Sequence, residues 1–152
     1  MEKKIFIGTS EFTFDESNGE YAGKLTVWGR ETDVAFEIKN TEESDMEKIV
    51  TEKINWIENN KDKITSAFME ESDDCVDVIN DMIEDGEFEA DGPITAADVV
   101  NALFVNNVFI WVNGLNTEFM LDLDAEPDYF YGHLACIEIS SGYKVEFGGM
   151  NG

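Results

Sequence analysis

The period of the apolar residues changes twice along the chain, and this change limits the fold more than any other feature. In "DVAFEIK" apolar and polar residues alternate, so Val34, Phe36 and Ile38 share one face of a strand. Apolar residues then recur at helical spacing in "MEKIVTEKINWI", and alternation returns in "ACIEIS". Strands, then helices, then strands is the order of an α+β domain rather than of alternating parallel βαβ units. We predict an N-terminal antiparallel meander, central helices and C-terminal antiparallel strands.

The length and the apolar content fit one domain. A chain of 152 residues that is 43% hydrophobic can bury a core, and no internal repeat or linker divides it. We therefore predict a single α+β domain over residues 1–152. In "VFIWV" both alternating faces are apolar, which predicts a central strand covered on both sides. The residues expected in the core are Val34, Phe36, Ile38, Ile49, Ile54, Ile57, Val108, Ile110, Leu121, Ile137 and Val145.

Short sequence signals predict where helices begin and end and where the chain turns. A Ser or Thr followed three residues later by an acidic residue forms a capping box, and Gly or Asn-Gly marks a helix end or a tight hairpin. The predicted features are a capping box at Ser44 with Glu47, a helix start at Thr95 with Asp98, a break in the second helical region near Glu71 to Asp74, a helix end at Gly86, and hairpin turns at Asn113-Gly114 and Ser141-Gly142.

The charge balance restricts the classes of partner. Asp and Glu number 34 against 10 Lys and Arg, so the formal net charge is -24 at pH 7. Binding to nucleic acid or to an anionic bilayer requires clustered Lys and Arg, which the chain lacks. No apolar run approaches the length needed to span a membrane. We therefore expect no direct contact with nucleic acid or membrane, whereas the negative field would attract a basic protein.

The cysteines and the N-terminal segment indicate the compartment. In "MEKKIFIGTSEF" the apolar run "IFI" is too short for an export signal, so we interpret it as a strand. Cys75 and Cys136 form no C-x-x-C pair, and a secreted domain more often carries several paired cysteines. We predict buried thiols and a cytoplasmic protein.

Asp122 and Asp124 resemble the start of a calcium loop, but the spacing does not fit one. If Asp122 were position 1 of an EF-hand, Pro127 would replace the required glycine and His133 the required bidentate glutamate. Both carboxylates instead share the side of a strand opposite Phe119, Leu121 and Leu123 in the alternating pattern. We expect them on a solvated strand face and predict no metal and no cofactor.

His133 is the only histidine, and the sequence leaves its role open. Neither a nucleophile elbow, a zinc-binding helix motif nor a glycine-rich phosphate loop accompanies it. A histidine after glycine, before the strand "LACIEIS", most often anchors a turn through hydrogen bonds to the backbone. The alternatives are a binding role and a hydrolase-like site assembled from His133 and distant carboxylates.

Two groups of residues are candidates for partner binding. From Glu70 to Asp91 the chain has eleven Asp or Glu and no Lys or Arg, which fits either a self-repelling soluble surface or a docking face for a basic partner. The aromatic residues 129–131 fit either core packing or a protein-binding hot spot. The hypothesised partner-binding residues are Asp73, Asp74, Asp77, Asp81, Glu84, Tyr129, Tyr131 and His133.

The segment "ITAADVVNALFVNNVFIWVNGLNTEFMLDLDAEPDYFYGHLACIEISSGYKVEFGGMNG" resembles the C-terminal part of a bacterial family of unknown function. The shared pattern is a short helix, paired strands, an acidic and aromatic segment, an aromatic-Gly-His step and a closing glycine. Tyr131, Gly132 and His133 match that step, whereas Leu134 and Ala135 replace a small polar residue. Members of the family resemble immunity proteins that neutralise polymorphic toxins. The resemblance implies a non-enzymatic binding protein that neutralises a toxin, and the negative net charge favours a basic toxin. The alternative remains the hydrolase-like enzyme with a site around His133 and distant carboxylates.

Overall fold

The computed structural model describes residues 3–151, and these residues form an α+β fold with one eight-stranded sheet. The strands are β1 (Lys4–Ile7), β2 (Ser10–Asp15), β3 (Glu20–Val27), β4 (Arg30–Ile38), β5 (Leu103–Val112), β6 (Glu118–Ala125), β7 (Leu134–Ile139) and β8 (Val145–Asn151). The helices are α1 (Glu43–Asn59), α2 (Lys61–Glu71), α3 (Cys75–Glu84) and α4 (Ala96–Ala102). Within this described range, no helix has the length and apolar character needed to cross a membrane.

The strands lie in the sheet in the order in which they occur in the chain. Neighbouring strands are antiparallel except β4 and β5, which run parallel with Val34 beside Val108 and Phe36 beside Ile110. All four helices lie between these two strands in the chain. The structure confirms the predicted α+β class, and the parallel pair joins the two predicted groups of antiparallel strands into one sheet.

The core lies between one face of the sheet and the helices. Trp56 of α1 packs edge-on against Phe119 of β6 with ring centroids 5.9 Å apart, and Phe68 of α2 packs against Phe147 of β8 at 5.5 Å. Of the predicted core residues, Ile38, Ile49 and Val145 are partly buried against the core and all the others are buried. The alternation of apolar residues therefore identified the correct face of each of these strands.

Several of the predicted helix boundaries are confirmed. The second helical region breaks between Glu71 and Cys75, and the chain leaves α3 through Gly86 at a φ of 78°. At the start of α4, Thr95 Oγ1 accepts from the backbone N–H of Asp98, whose carboxylate accepts from the N–H of Thr95 at 2.8 Å. These interactions depend on residues close together in the chain, which is why the sequence predicts them.

Two local predictions are wrong. Ser44 and Glu47 form no capping box, because α1 already begins at Glu43 and the Glu47 carboxylate accepts instead from the backbone N–H of Gly8 at 3.1 Å. Asn113-Gly114 does not form a two-residue hairpin turn. The chain makes a 3₁₀ turn at Gly114–Asn116, in which the Thr117 hydroxyl donates to the carbonyl of Gly114 at 2.8 Å.

Candidate protein-binding surfaces

Helix α3 displays the acidic residues singled out from the sequence. Asp77, Asp81 and Glu84 are exposed along it, as are Asp73 and Asp74 in the turn before it. Ile79, on the opposite side, is buried in the core and fixes which face of α3 points outward. Within residues 3–151, no carboxylate from position 70 to 91 forms an ion pair. We call the exposed side chains of Asp73, Asp74, Asp77, Asp81 and Glu84 the acidic helix surface.

Asn80 fixes the connection that follows α3. Its side-chain amide donates to the carbonyl of Ile94 at 3.0 Å, and its carbonyl oxygen accepts from the N–H of Ile94 at 2.7 Å. This pair of hydrogen bonds satisfies both backbone groups of Ile94. These hydrogen bonds attach the chain that follows the acidic connector, between Gly86 and Gly92, to α3.

The aromatic residues 129–131 form a turn beside the acidic connector. Tyr129 and Phe130 are buried, whereas half of Tyr131 is exposed. Phe88 of the connector packs against Tyr129 with ring centroids 5.3 Å apart and against Tyr131 at 6.1 Å. The Tyr131 hydroxyl also donates to the backbone carbonyl of Glu87. The structure thus brings together Tyr131 and the acidic connector, which are far apart in sequence.

His133 lies at the end of the same turn with its side chain exposed. Its backbone N–H donates to the carbonyl of Phe130 at 3.0 Å, and the Asp128 carboxylate accepts from the N–H of Gly132 at 3.0 Å. In the described part of the chain, the imidazole itself takes part in no hydrogen bond. The backbone and Asp128 hold the turn, rather than the imidazole as the sequence interpretation proposed.

Asp122 lies on the side of β6 that the alternation predicts, but it is buried there, so the expectation that it is solvated is wrong. Only 8% of the residue is exposed, because β6 lies inside the sheet and Asn107 and Cys136 flank Asp122 on the neighbouring strands. Asn107 Nδ2 donates to Asp122 Oδ2 at 3.0 Å, while Asp122 Oδ1 accepts no hydrogen bond from any described residue. Asp124, near the C-terminal end of the same strand, is half-buried.

Both cysteines are free thiols. Cys136 is buried, and Cys75 is half-buried at the start of α3. Burial raises the pKa of the Cys136 thiol, and the negative charges of Asp122 and Glu138 raise this pKa further. Burial, with Asp74 as a smaller cause, also raises the pKa of Cys75. Both side chains are therefore protonated and weakly nucleophilic near neutral pH.

The face of the sheet opposite the helices is open, and the sequence interpretation missed it. The central strand β5 was predicted to be covered on both sides, but Phe109 is only half-buried and Trp111 is 39% exposed. Paired residues cross this open face in rows. One row is Ala22, Ala35, Phe109, Met120, Glu138 and Glu146, and a second is Glu37, Trp111 and Glu118.

A groove of about 610 Å³ lies over strands β4 to β8 on the open face. Trp111 and Met120 supply its apolar lining, and the carboxylates of Glu37, Glu118, Glu138 and Glu146 surround them. The indole of Trp111 is tilted against the ring of Phe109, with centroids 4.7 Å apart. We call this feature the Trp111 groove.

A buried lysine lies beneath the turn between β7 and β8. Lys53 is 7% exposed, and its ammonium group donates to the Tyr143 hydroxyl at 2.9 Å and lies 4.4 Å from the centre of the Tyr143 ring. That hydroxyl donates to Glu52 at 3.2 Å, and the ring stacks on Trp56 at 5.1 Å. These contacts attach the turn to α1.

Comparison with protein families matches residues 8–149 to DUF2262, a family described as an uncharacterized protein conserved in bacteria. The chain belongs to the DUF2262 family. The DUF2262 match includes the acidic helix surface, the aromatic turn and the strands that carry the Trp111 groove. No curated protein and no solved structure matched the chain. Within residues 3–151, no three His, Cys, Asp or Glu side chains are grouped so as to hold a metal ion.

Proposed function

We propose that this member of the DUF2262 family is a non-enzymatic binding protein for a basic protein partner, most specifically an immunity protein that neutralises a toxin by occluding it. The observation that carries the proposal is the uncompensated charge of the acidic helix surface. No Lys or Arg occurs between Lys63 and Lys144, and no carboxylate from 70 to 91 has an ion-pair partner among the described residues.

Uncompensated carboxylates favour a partner of opposite charge. Like charges three and four residues apart weaken a helix by a few tenths of a kcal/mol per pair, so the acidic helix surface costs stability in the isolated protein. A basic partner would remove that repulsion and would be steered toward the surface during encounter. A nuclease toxin fits this chemistry, because its surface is built to bind phosphates and carboxylates can occupy the same positions.

Tyr131 gives the acidic surface a neighbouring aromatic contact. Half of its side chain is exposed, and its hydroxyl is fixed by the carbonyl of Glu87. A tyrosine whose orientation is already fixed loses little conformational entropy on binding, and tyrosine is enriched in binding hot spots. The alternative, a hydrolase with His133 in its site, has less support from the geometry, since the exposed imidazole hydrogen-bonds to no carboxylate in the described chain.

The test is binding to the toxin that we expect to be encoded beside this protein. The product of the neighbouring upstream gene is purified, mixed with this protein and analysed by size-exclusion chromatography and by calorimetry, and its activity is assayed with and without this protein. We expect a stable complex and loss of the toxin's activity. A neighbouring gene for a metabolic enzyme, or a toxin that neither binds nor loses activity, would contradict the proposal.

A further inference from the structure

The Trp111 groove presents an aromatic face and several carboxylates to the same volume. Glu37, Trp111 and Glu118 are neighbours across β4, β5 and β6, and Met120, Glu138 and Glu146 follow in the next row. The groove has room for a large side chain, at about 610 Å³. Its chemistry is distinct from that of the acidic helix surface, which lacks an exposed indole.

The charge of the groove is mostly uncompensated. Among residues 3–151, Glu37, Glu118 and Glu138 form no ion pair, whereas Glu146 pairs with Lys144 at 3.0 Å. Lys39 is the cation among the lining residues. Carboxylates attract a cation, and the face of an indole attracts the same cation through its π-electrons. Both parts of the groove therefore favour a positively charged occupant.

The chain already contains one example of such a contact, at the start of β4. The guanidinium group of Arg30 lies 3.8 Å from the ring centre of Phe104 and forms an ion pair with Glu126 at 3.2 Å. Phe104 of β5 is paired with Asp124 of β6. Arg30 is the single arginine of the chain, and it is therefore already engaged. The Trp111 groove offers the same combination of ring and carboxylate to an arginine from outside the chain.

We infer that the Trp111 groove binds an arginine side chain presented by an extended segment of the partner protein. Arginine fits better than lysine, because its planar guanidinium group stacks on an indole while donating two parallel hydrogen bonds to a carboxylate. A second copy of this chain is a poor occupant, since its net charge of -24 opposes self-association. The inference depends on the proposed function in one respect, since both assume that the partner is positively charged.

The experiment uses the full chain, labelled with ¹⁵N, and the peptide acetyl-Gly-Arg-Gly-Arg-Gly-amide as the probe. The control peptide replaces both arginines with citrulline, which has nearly the same shape and no charge. Titrations followed by NMR report which backbone amides shift and give the Kd. We expect the arginine peptide to shift amides of β4 to β7 around Trp111, and the citrulline peptide to bind much more weakly.

Variants distinguish binding at the Trp111 groove from binding at the acidic helix surface. Trp111→Ala should raise the Kd of the arginine peptide by about two- to five-fold, the factor expected for loss of an exposed cation–π contact. Glu138→Gln should also raise the Kd of the arginine peptide, and this variant serves as a second probe if Trp111→Ala perturbs the fold. Leu115→Ala removes an apolar side chain that is 99% exposed on the 3₁₀ turn and is expected to leave the Kd unchanged.

The outcomes distinguish this inference from the proposed function. Equal affinity for both peptides, or an unchanged Kd in both groove variants, overturns the inference. If peptide binding is weakened only when the acidic helix surface is neutralised, the inference about the Trp111 groove is overturned and the proposed function still stands. If the groove variants weaken the peptide but the neighbouring toxin does not bind the protein, the groove is an arginine site and the proposed function fails.

Discussion

Asn107 Nδ2 donates a hydrogen bond to Asp122 Oδ2 at 3.0 Å, from β5 to the buried carboxylate on β6. This is the one hydrogen bond that the Asp122 carboxylate accepts among the described residues. Asn107→Ala leaves that buried charge without a donor. We expect a loss of about 1.5–3 kcal/mol in the free energy of unfolding, measured by urea denaturation, because hydrogen bonds to charged groups contribute about that much.

Two further variants test this assignment. Asp122→Asn keeps the shape and removes the buried charge, so its cost should be smaller than that of Asn107→Ala or even reversed in sign. Asn116→Ala truncates an exposed amide on the 3₁₀ turn and should change stability by no more than about 0.5 kcal/mol. If Asn107→Ala destabilises the protein no more than Asn116→Ala does, the hydrogen bond to Asp122 contributes nothing measurable.

Tyr143→Phe tests the attachment of the β7–β8 turn to α1. The substitution keeps the ring that stacks on Trp56 and removes the hydroxyl that accepts from buried Lys53. We expect a loss of about 1–3 kcal/mol in the free energy of unfolding, because a buried polar group loses its partner.

The control for this prediction is the pair of substitutions Lys53→Met and Tyr143→Phe. Replacing both partners by apolar groups of similar shape removes the unsatisfied ammonium group, so the double variant should be more stable than Tyr143→Phe alone. Additive losses in the double variant would show that the two side chains do not interact energetically.

The raised pKa of the Cys136 thiol predicts that the free energy of unfolding declines in alkaline solution. Burial, assisted by Asp122 and Glu138, raises the pKa of Cys136 in the folded state above its ordinary value. The folded chain then holds this proton more tightly than the unfolded chain. The resulting stabilisation is fully present below the ordinary thiol pKa and is lost as pH rises from there through the raised pKa of the folded state.

The measurement is urea unfolding across the neutral to alkaline range in a Cys75→Ser background, which removes the second thiol with a raised pKa. Adding Cys136→Ser should make the decline of stability with pH shallower. All other ionisable groups are the same in both variants, so their contribution cancels in the comparison. Parallel curves for the two variants would mean that the pKa of Cys136 is the same in the folded and unfolded chains.

The sequence predicts those features of the fold that neighbouring residues determine. The break after Glu71 and the helix start at Thr95 and Asp98 depend on contacts within one turn of helix. Similarly, alternation identifies the buried side of β4 because period-2 spacing fixes which residues share a face. Ser44 and Glu47 have the same local signal as Thr95 and Asp98, but Glu47 binds Gly8, which is 39 residues away and invisible to a local pattern.

The features that the sequence could not predict depend on pairing between distant strands. Asp122 has the alternating position of a solvated residue, and it is buried because Asn107 and Cys136 flank it on β5 and β7. The apolar residues on both sides of β5 were interpreted as two covered faces. The core helices pack on one face only, so Trp111 on the other face lines the Trp111 groove instead of a second core. Likewise, the contact of Tyr131 with Glu87 depends on tertiary packing.

The most direct test of the account is the rate at which this protein associates with the toxin that we expect to be encoded beside it. The comparison is between the wild type and a variant in which Asp73, Asp74, Asp77, Asp81 and Glu84 are replaced by Asn or Gln, each at low and moderate salt. Attraction between separated charges is screened beyond about 8–10 Å at moderate ionic strength. We predict that the wild type associates fastest at low salt and that its association rate falls steeply as salt is added. The association rate of the variant should depend much less on salt, and the dissociation rates should change less than the association rates. Equal association rates under all four conditions would contradict binding through the acidic helix surface.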